Sequence, residues 1–582
     1  MPKILKSNYF QLPVFLILGG ICSALIQNDV LWDFANYHYY NPWALVNNRV
    51  GYDIAVGGGN GYFNPLLDLP LYYLIVFFND YPNFISFMQG LPLGALFFVF
   101  LKFIRLFFTE DDAKSKVAVG LTFLIGCTGW ALYAQIGSCS NEITIALLVM
   151  CSMYLIVCGI SDCHHNRKHT FLLSGFILGS ALGLKLTAII YCVSAFLTII
   201  LCSSQLERPK QKIISFIIGG ALGFLLFHGW WSFRLWQMFS NPLFPFANGI
   251  FKSPWFVADN FRDPAFLLQN WREYLFYPFY FAAFKLKTDG KCLVVDYRFG
   301  LTYLAVLLFC WHGLKSRLGH NSSTLDKKMV FLVAAIVTSY IVWISLFVIL
   351  RYTIPLALMS SILIVKTAQK LTPQNLYARA CWLSCCVIIL YSLLSTPYYS
   401  GVFENRQNMD MPKQYFLYDL VKDTPQFSSK DNKRNFSKYI EIEKINIPHG
   451  SLLEFYNLPV AAILPMLNVD ASSRGIMMQQ FNYVTFDDKH DDIFDLPAWR
   501  RLKQSIISNH KGPVVQIIGG VNIQHYINQK DILWDKNNYC RWVYNNIVPF
   551  YMCVNRNLAQ DVFKEKARDT EFNKLGLFDD EK

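Results

Sequence analysis

The chain has 582 residues, of which 54% are hydrophobic and only 16% are charged, and its formal net charge is +12. Soluble domains have about 25% charged residues, so this composition excludes a soluble globular protein, a disordered or fibrous chain and a disulfide scaffold. The basic residues are spread among loops and form no single patch, which excludes a nucleic-acid binder. Apolar runs recur from Tyr9 to about Ser400. The sequence therefore predicts a polytopic membrane protein.

The first apolar run, from Tyr9 to Gln27, follows Lys3 and Lys6 and has no small-residue cleavage site. It predicts a retained membrane anchor with its N-terminus in the cytoplasm. The fold class we expect is mainly α, a polytopic transmembrane helix bundle over residues 1–400. Length and apolarity predict about eleven spans, and the ten after the first lie near residues 85–107, 117–136, 143–160, 171–184, 186–203, 213–229, 301–314, 329–348, 354–365 and 381–396.

The apolar stretch from Pro65 to Phe78 decides the topology. Counting it as a further span would reverse the sidedness of the basic loops, against the positive-inside bias. We therefore expect it to lie in the outer leaflet or to dip into it. The extracytoplasmic parts are then the first outer loop (28–84), a short turn (137–142), a long outer loop (230–300) and everything after about residue 400.

The C-terminal part differs in composition from the rest of the chain. Gly401 to Gly450 contains about fifteen charged residues, whereas Phe171 to Leu206 contains one, so a soluble domain begins near Gly401. Short apolar runs alternate there with helix-like stretches, which predicts a small extracytoplasmic α/β domain over residues 401–582. Cys540 and Cys553 flank an aromatic segment compatible with a hairpin. A disulfide between them and two free thiols both fit the sequence.

Two long apolar runs each contain a single ionisable charge, Lys185 between Phe171 and Leu206 and Arg351 between Met329 and Val365. Each run has the length of two spans joined by a tight turn, with the cation at the turn. A lone cation at such a turn can snorkel to lipid headgroups, which is the alternative for either residue. Two cations at one membrane level, with Tyr352 beside Arg351, favour a binding site for a lipid-linked phosphate.

The first outer loop places Asp33 a few residues beyond a transmembrane helix, among side chains that include Asn36, Tyr37 and His38. Partial desolvation there would raise the pKa of a carboxyl group and suit it to act as a base, and aromatic rings can stack on sugar faces. The alternative is that Asp33 caps a juxtamembrane helix. For His38 the alternative is a structural hydrogen-bond partner.

The second outer turn contributes Glu142 at the start of a span. This residue either favours a helix N-terminus through the macrodipole or provides a second acidic group opposite Asp33. The sequence contains no His and Cys cluster with metal-ligand spacing and no Gly-x-Ser-x-Gly elbow.

The order and sidedness of these features resemble the GT-C superfamily of integral membrane glycosyltransferases, which use polyprenyl-phosphate-linked sugars. The resemblance covers most of residues 1–400 in organisation. It is carried by an acidic first outer loop, an outward C-terminal domain and three short sequences, namely Asn141-Glu142, Gly183-Leu184-Lys185-Leu186-Thr187 and Arg351-Tyr352.

The resemblance implies that an acceptor hydroxyl attacks the anomeric carbon of a lipid-phosphate sugar with inversion. It implies Asp33 as the catalytic base and Glu142 as an acidic group that orients acceptor or donor. The late basic residues, Arg351 and Lys185, would bind the donor phosphate together with Tyr352.

The remaining implied contacts are to the substrate. They involve Asn36, Tyr37 and His38 in the first outer loop and Arg298 in the long outer loop, for which a surface ion pair with Asp296 is the alternative. Some metal-dependent members have a paired-carboxylate motif, and Asp33-Phe34-Ala35 lacks the second acid. We therefore expect no metal and no other cofactor.

The implied partners are a polyprenyl-phosphate-sugar donor, a glycan or lipid acceptor and membrane lipids, with no nucleic acid. The expected location is the bacterial cytoplasmic membrane. One alternative is a transporter or flippase of lipid-linked sugars, a class that commonly has inverted repeats and charge at the midplane. A ligase or polymerase of surface polysaccharide, which would rely on a large basic outer loop, and a structural scaffold are the others.

Overall fold

The computed structural model describes residues 8–26, 33–160, 169–257, 268, 270–280, 296–318, 326–371, 438–457, 459–479, 496–519, 538–543, 545–548 and 550–564. The predicted span near 381–396 and the predicted domain boundary near residue 401 lie outside these residues.

The N-terminal two thirds of the chain are a bundle of apolar helices with short helices in the loops. The helices are α1 (Asn8–Ile26), α2 (Tyr40–Val46), α3 (Leu69–Phe78), α4 (Pro82–Gln89), α5 (Leu91–Arg105), α6 (Ala113–Cys127), α7 (Trp130–Tyr133), α8 (Glu142–Ile160), α9 (Thr170–Leu184), α10 (Ile189–Leu201), α11 (Pro209–Phe239), α12 (Asn248–Phe251), α13 (Trp271–Tyr280), α14 (Tyr297–Leu318), α15 (Lys327–Leu346) and α16 (Ile354–Leu371).

Each predicted span within the described residues coincides with one of these helices or with a pair of them. Five helical segments in the described part are long and apolar enough to cross a membrane, namely Pro82–Arg105, Glu142–Ile160, Pro209–Phe239, Lys327–Leu346 and Leu350–Lys370. Others are shorter, such as α9 and α10 with 15 and 13 residues. The protein is thus built as a membrane protein, and the number of spans stays a prediction.

Glycines allow α9 and α11 to pack with their backbones in contact. A Cβ atom at Gly179 would lie 2.0 Å from the carbonyl oxygen of Gly220, and one at Gly223 would lie 2.1 Å from the carbonyl oxygen of Phe176. Small residues spaced four apart are the usual means by which membrane helices approach this closely. The pair fixes the C-terminal end of α9, which Lys185 follows.

The stretch from Pro65 to Phe78 forms a 3-10 turn and then the ten-residue helix α3. At about 1.5 Å per residue this helix is about 15 Å long, half the thickness of the hydrocarbon core, so it does not cross a bilayer. Four of its large apolar side chains are exposed, Tyr73 at 42%, Val76 at 51%, Phe77 at 70% and Phe78 at 39%. Such a face suits the membrane surface.

Helix α11 extends farther than its predicted span. Its 31 residues continue from Pro209 to Phe239, so the long outer loop begins about ten residues later than the apolarity of the sequence indicates. The buried side chains of Trp231, Leu235 and Phe239 are four residues apart and pack against the first outer loop and the C-terminal domain. The end of α11 is therefore held by tertiary contacts that a hydropathy pattern does not contain.

The C-terminal domain is a mixed sheet with short helices. Its strands are β1 (Leu452–Tyr456), β2 (Arg474–Gln479), β3 (Val514–Gly519), β4 (Asn538–Trp542) and β5 (Phe550–Asn555). They run in the order β2-β1-β3-β5-β4; β1 is parallel to β2 and β3, whereas β5 is antiparallel to β3 and β4. Cys540 and Cys553 lie directly opposite each other in β4 and β5 and form a disulfide. The helices are α17 (Ile463–Met466), α18 (Pro497–Asn509) and α19 (Ala559–Phe563).

The first outer loop is joined to the edge strand β2. Ile54 pairs with Ile476, and its backbone N–H donates to the carbonyl oxygen of Gly475 over 2.9 Å. Asp53 accepts from the backbone N–H of Gly475 at 2.8 Å and from two nitrogens of Arg49 at 2.7 Å. Both polar side chains are buried, so the contact fixes the loop that carries Asp33 against the C-terminal domain.

Candidate active site

Asp33 lies immediately before a π-helical turn, Phe34–His38, whose five residues are all buried. π-Helical turns are rare in proteins, and those that occur are often found at functional sites. The side chain of Asp33 is 14% exposed.

Two helix breaks place the predicted cations. Lys185 has an extended backbone between α9 and the 3-10 turn Leu186–Ala188. Arg351 lies in the 3-10 turn Leu350–Thr353 between α15 and α16. The prediction that each lone cation occupies a tight turn between two apolar helices is confirmed.

The two cations and the two predicted acidic residues form one cluster. Arg351 Nη1 lies 3.1 Å from Asp33 Oδ2, and Arg351 Nε lies 3.6 Å from Glu142 Oε1. Lys185 Nζ lies 2.5 Å from the same Glu142 oxygen and donates to the carbonyl oxygen of Ser140 at 2.6 Å. The Glu142 side chain is only 3% exposed, whereas those of Lys185 and Arg351 are 17% and 18% exposed. Each charge is therefore compensated by an opposite charge within the cluster. The two cationic side chains remain partly exposed, so a ligand can reach them.

Glu142 does more than begin a helix. It is the first residue of α8 and follows Asn141, whose backbone has a φ of +63°. Asn tolerates this left-handed conformation better than most residues because its short polar side chain can hydrogen-bond locally. The turn directs the Glu142 carboxylate to Lys185 and Arg351. An interaction with the helix N-terminus alone therefore does not account for the position of this side chain.

The pKa of Asp33 differs from the sequence expectation. Burial raises the pKa of this carboxyl group, but the surrounding positive charges, Arg351 foremost, and a hydrogen bond from Tyr37 outweigh it, and the pKa lies below its ordinary value of 3.8. The predicted rise in this pKa was wrong because it followed from burial alone. The positive charge of Arg351, which is distant along the chain, was not included in that prediction.

A small cavity lies beside the charged cluster. Glu142 and Arg351 form its polar side, and the rest of its lining is mostly apolar, with Ile145, Ala146, Thr187, Ala188, Tyr191, Tyr352 and Pro355. The guanidinium carbon of Arg351 lies 5.6 Å from the centre of the Tyr352 ring, a cation–π distance. The Tyr191 hydroxyl donates to the Tyr352 carbonyl oxygen at 2.6 Å and fixes the turn.

The predicted substrate contacts of the first outer loop have partners within the protein. The Asn36 amide donates to the carbonyl oxygen of Gly57 at 3.2 Å, which holds the loop together. The Tyr37 and His38 ring centres lie 4.3 Å apart. His38 Nδ1 lies 2.7 Å from Asp68 Oδ1, so His38 has the structural partner that the sequence left open.

Arg298 lies apart from the cluster formed by Asp33, Glu142, Lys185 and Arg351. It forms a buried ion pair with Asp296, and its Nη1 donates to the carbonyl oxygen of Ile125 at 3.1 Å. In the described part of the chain no contact joins it to the charged cluster. The ion-pair alternative is correct, except that the pair is buried where the sequence suggested the surface.

Asp68 is the residue near this site that the sequence interpretation missed. It is the only Asp, Glu, Lys, Arg or His between Pro65 and Phe78, and the reasoning that singled out Lys185 and Arg351 applies to it equally. The Asn141 amide also donates to its Oδ1, at 2.6 Å. Among the described residues, no group of three or more His, Cys, Asp or Glu side chains is arranged to hold a metal ion.

Comparison with known proteins identifies the fold. No protein-family model matches the sequence, and no curated protein is significantly similar to it. The crystal structure of ArnT from Cupriavidus metallidurans bound to undecaprenyl phosphate is similar, with a TM-score of 0.54 and 10% sequence identity over 94% of this chain and 97% of that chain. ArnT from the same organism in the apo state gives a TM-score of 0.53 and 11% identity over 95% and 98%. The protein thus shares the overall fold of these two ArnT structures.

Proposed function

We propose that the protein is a membrane glycosyltransferase that moves a sugar from a polyprenyl-phosphate-linked donor to an acceptor hydroxyl on the extracytoplasmic face. The observation that carries this proposal is the convergence of Asp33, Glu142, Lys185 and Arg351 from four separate turns onto one partly exposed cluster. Sugar transfer from a phosphate needs a base for the acceptor and cations for the leaving group, and the cluster provides both.

The donor phosphate binds between Arg351 and Lys185. Guanidinium and ammonium groups form strong charge-assisted hydrogen bonds with phosphate oxygens. The apolar lining beside Arg351, which includes Tyr191 and Tyr352, suits the first isoprene units of the lipid. ArnT with its bound undecaprenyl phosphate supplies the lipid class for this proposal.

Asp33 removes the proton from the acceptor hydroxyl during a single inverting displacement. Its pKa lies below the ordinary value, so the carboxylate is ionised throughout the neutral range. The oxygen nearest Arg351 is engaged by the guanidinium, and a donor phosphate competes for that same group. Donor binding thereby releases the base, and Glu142 continues to hold Lys185.

The sidedness of the proposal follows the sequence. The first outer loop and the C-terminal domain share one hydrophobic core and therefore lie on the same side of the bundle. The positive-inside bias assigns this side to the outside of the bacterial cytoplasmic membrane, with the N-terminus in the cytoplasm.

A transfer assay tests the function. The protein in lipid nanodiscs is mixed with undecaprenyl phosphate carrying one radiolabelled pentose or hexose and with a cell-envelope extract as acceptor. We expect label to leave one of these lipids for the glycan or lipid fraction with the wild type and not with Asp33→Asn. Asp80→Asn, at a side chain that is 68% exposed, is the matched control and keeps its activity. Full transfer by Asp33→Asn would remove the assignment of the base, and translocation of an unchanged lipid-linked sugar would favour a transporter.

A further inference from the structure

Asp68 connects the two outer segments that carry the proposed acidic residues. Its Oδ1 accepts from His38 Nδ1 at 2.7 Å and from the Asn141 amide at 2.6 Å. Its side chain is 6% exposed and that of His38 is 4% exposed. A buried carboxylate with two donors on one oxygen fixes both donors in orientation. The proposed mechanism assigns no role to this residue.

The carboxylate determines which nitrogen of His38 carries a proton. A carboxylate only accepts hydrogen bonds, so His38 Nδ1 is the donor of this bond. The other ring nitrogen, Nε2, is buried and has no hydrogen-bond partner among the described residues. Buried ring nitrogens in native proteins are nearly always hydrogen-bonded, and an unpaired one needs an explanation.

His38 is also placed close to the proposed base. In a π-helical turn the residues five apart are joined by a hydrogen bond and lie one turn from each other. Asp33 lies immediately before the turn Phe34–His38, and His38 is its last residue. Tyr37, which hydrogen-bonds Asp33, packs its ring on the His38 imidazole at 4.3 Å. A group bound at His38 Nε2 is therefore a neighbour of the site where the acceptor hydroxyl loses its proton.

We propose that His38 binds a substrate hydroxyl through Nε2 and that Asp68 is the positioning residue that orients His38 for this contact. A hydroxyl both donates and accepts, so it satisfies Nε2 in either charge state of the imidazole. The hydroxyl belongs to the transferred sugar or to the acceptor. This inference rests on the proposed glycosyl transfer and adds to it a group that recognises carbohydrate.

The first experiment measures binding in nanodiscs without an acceptor. The probes are undecaprenyl phosphate and the sugar-bearing form of this lipid that the transfer assay selects. If the hydroxyl belongs to the donor, His38→Ala and Asp68→Ala each lose about tenfold in affinity for the sugar-bearing lipid. His38→Ala does not change the affinity for undecaprenyl phosphate, which reports on the Arg351 site, and any effect of Asp68→Ala through Asn141 lowers both affinities alike. If the proposed function is wrong, the wild type does not bind undecaprenyl phosphate at the Arg351 site. If only this inference is wrong, the ratio of the affinities for the two lipids is the same in the variants as in the wild type.

The second experiment measures transfer to the cell-envelope extract. If the hydroxyl belongs to the acceptor, both lipid affinities stay unchanged and the transfer rate at limiting acceptor falls about tenfold in the same two variants. Asp68→Asn keeps a carbonyl oxygen for the two donors, and His38→Gln keeps a terminal amide. We expect both of these variants to retain most of the function that the alanine variants lose.

The double variant separates positioning from general stability. Because Asp68 acts on the hydroxyl contact through His38, adding Asp68→Ala to His38→Ala should not lower the ratio of sugar-lipid to bare-lipid affinity any further, whereas an effect through Asn141 lowers both affinities alike. Asp80→Ala is the control in the same outer loop, and thermal unfolding of every variant checks the fold. Additive effects of the two alanine substitutions, or sugar-lipid affinity and transfer within about twofold of wild type in both, would overturn the proposal.

Discussion

Arg351 Nη1 lies 3.1 Å from Asp33 Oδ2, although the two residues are 318 positions apart in the sequence. The same guanidinium lies 3.6 Å from Glu142, so it is shared between two carboxylates. A phosphate that binds Arg351 must compete with both of them. The account therefore couples the donor site to the proposed base through one side chain, and the coupling is measurable.

Asp33→Asn should bind undecaprenyl phosphate more tightly than the wild type does. The substitution keeps the shape of the side chain and removes the charge that competes with phosphate for Arg351. We expect a gain of several-fold, measured by titration of the lipid into nanodiscs. Asp80→Asn is the control and should leave the affinity unchanged. Weaker binding by Asp33→Asn would contradict the competition.

Arg351→Ala should weaken binding of undecaprenyl phosphate by about tenfold to a hundredfold, because a charge-assisted hydrogen bond is lost. Arg351→Lys keeps the charge without the planar fork and should lie between the alanine variant and the wild type. The control is Arg272→Ala, since Arg272 is exposed and stacks on Trp271. An effect on the acceptor with no effect on the lipid would count against the phosphate role.

Glu142 and Lys185 should behave as a coupled pair in thermal unfolding. Lys185 lies 2.5 Å from the almost fully buried Glu142 carboxylate, and removing one partner leaves the other charge uncompensated. We expect Glu142→Gln and Lys185→Met each to lower the unfolding temperature, and the double variant to lose less than the sum. Additive losses would show that the two charges do not interact.

The acid side of the pH–rate profile should reflect the lowered pKa of Asp33. Before the donor binds, Arg351 holds that pKa below its ordinary value of 3.8, so kcat/KM, which reports on the free enzyme, should not fall with acid until below about pH 4. In Arg351→Ala burial acts without its largest opposing cause, and we expect the acid limb to move to higher pH.

The same shift has a consequence for folding. Because folding lowers the pKa of Asp33, the carboxylate stabilises the protein at pH values above its ordinary pKa, and this contribution is lost as pH falls through the lowered pKa. Acid unfolding of Asp33→Asn should therefore be less steep than that of the wild type. An identical pH dependence of the two proteins would contradict the lowered pKa.

Arg49→Met should loosen the contact between the first outer loop and the C-terminal domain. Arg49 donates to Asp53 and to the carbonyl oxygen of Ser473 at 2.6 Å, and its loss leaves a buried carboxylate without its cation. We expect faster amide hydrogen exchange in β2 and in the turn Phe34–His38, measured by mass spectrometry. Lys438→Met, at a half-exposed pair with Asp80, is the control and should leave both segments protected.

The sequence predicted the features that depend on local composition. Apolar runs located the helices, and a single charge in each of two such runs located Lys185 and Arg351 at helix breaks. The contact of Arg351 with Asp33 could not be predicted from the sequence, because no local pattern relates residues so distant along the chain. The expected rise in the pKa of Asp33 failed for that reason. Asp68 could have been identified from the sequence, since it is the lone charge in its own apolar stretch.

A cryo-EM map of the protein in nanodiscs with undecaprenyl phosphate tests the central claim most directly. The account predicts phosphate density within hydrogen-bonding distance of Arg351 and Lys185, the lipid chain along Tyr352, and Asp33 released from the guanidinium and facing the outer side. Lipid phosphate bound elsewhere, with Arg351 still paired to Asp33 as in the 3.1 Å contact, would contradict it.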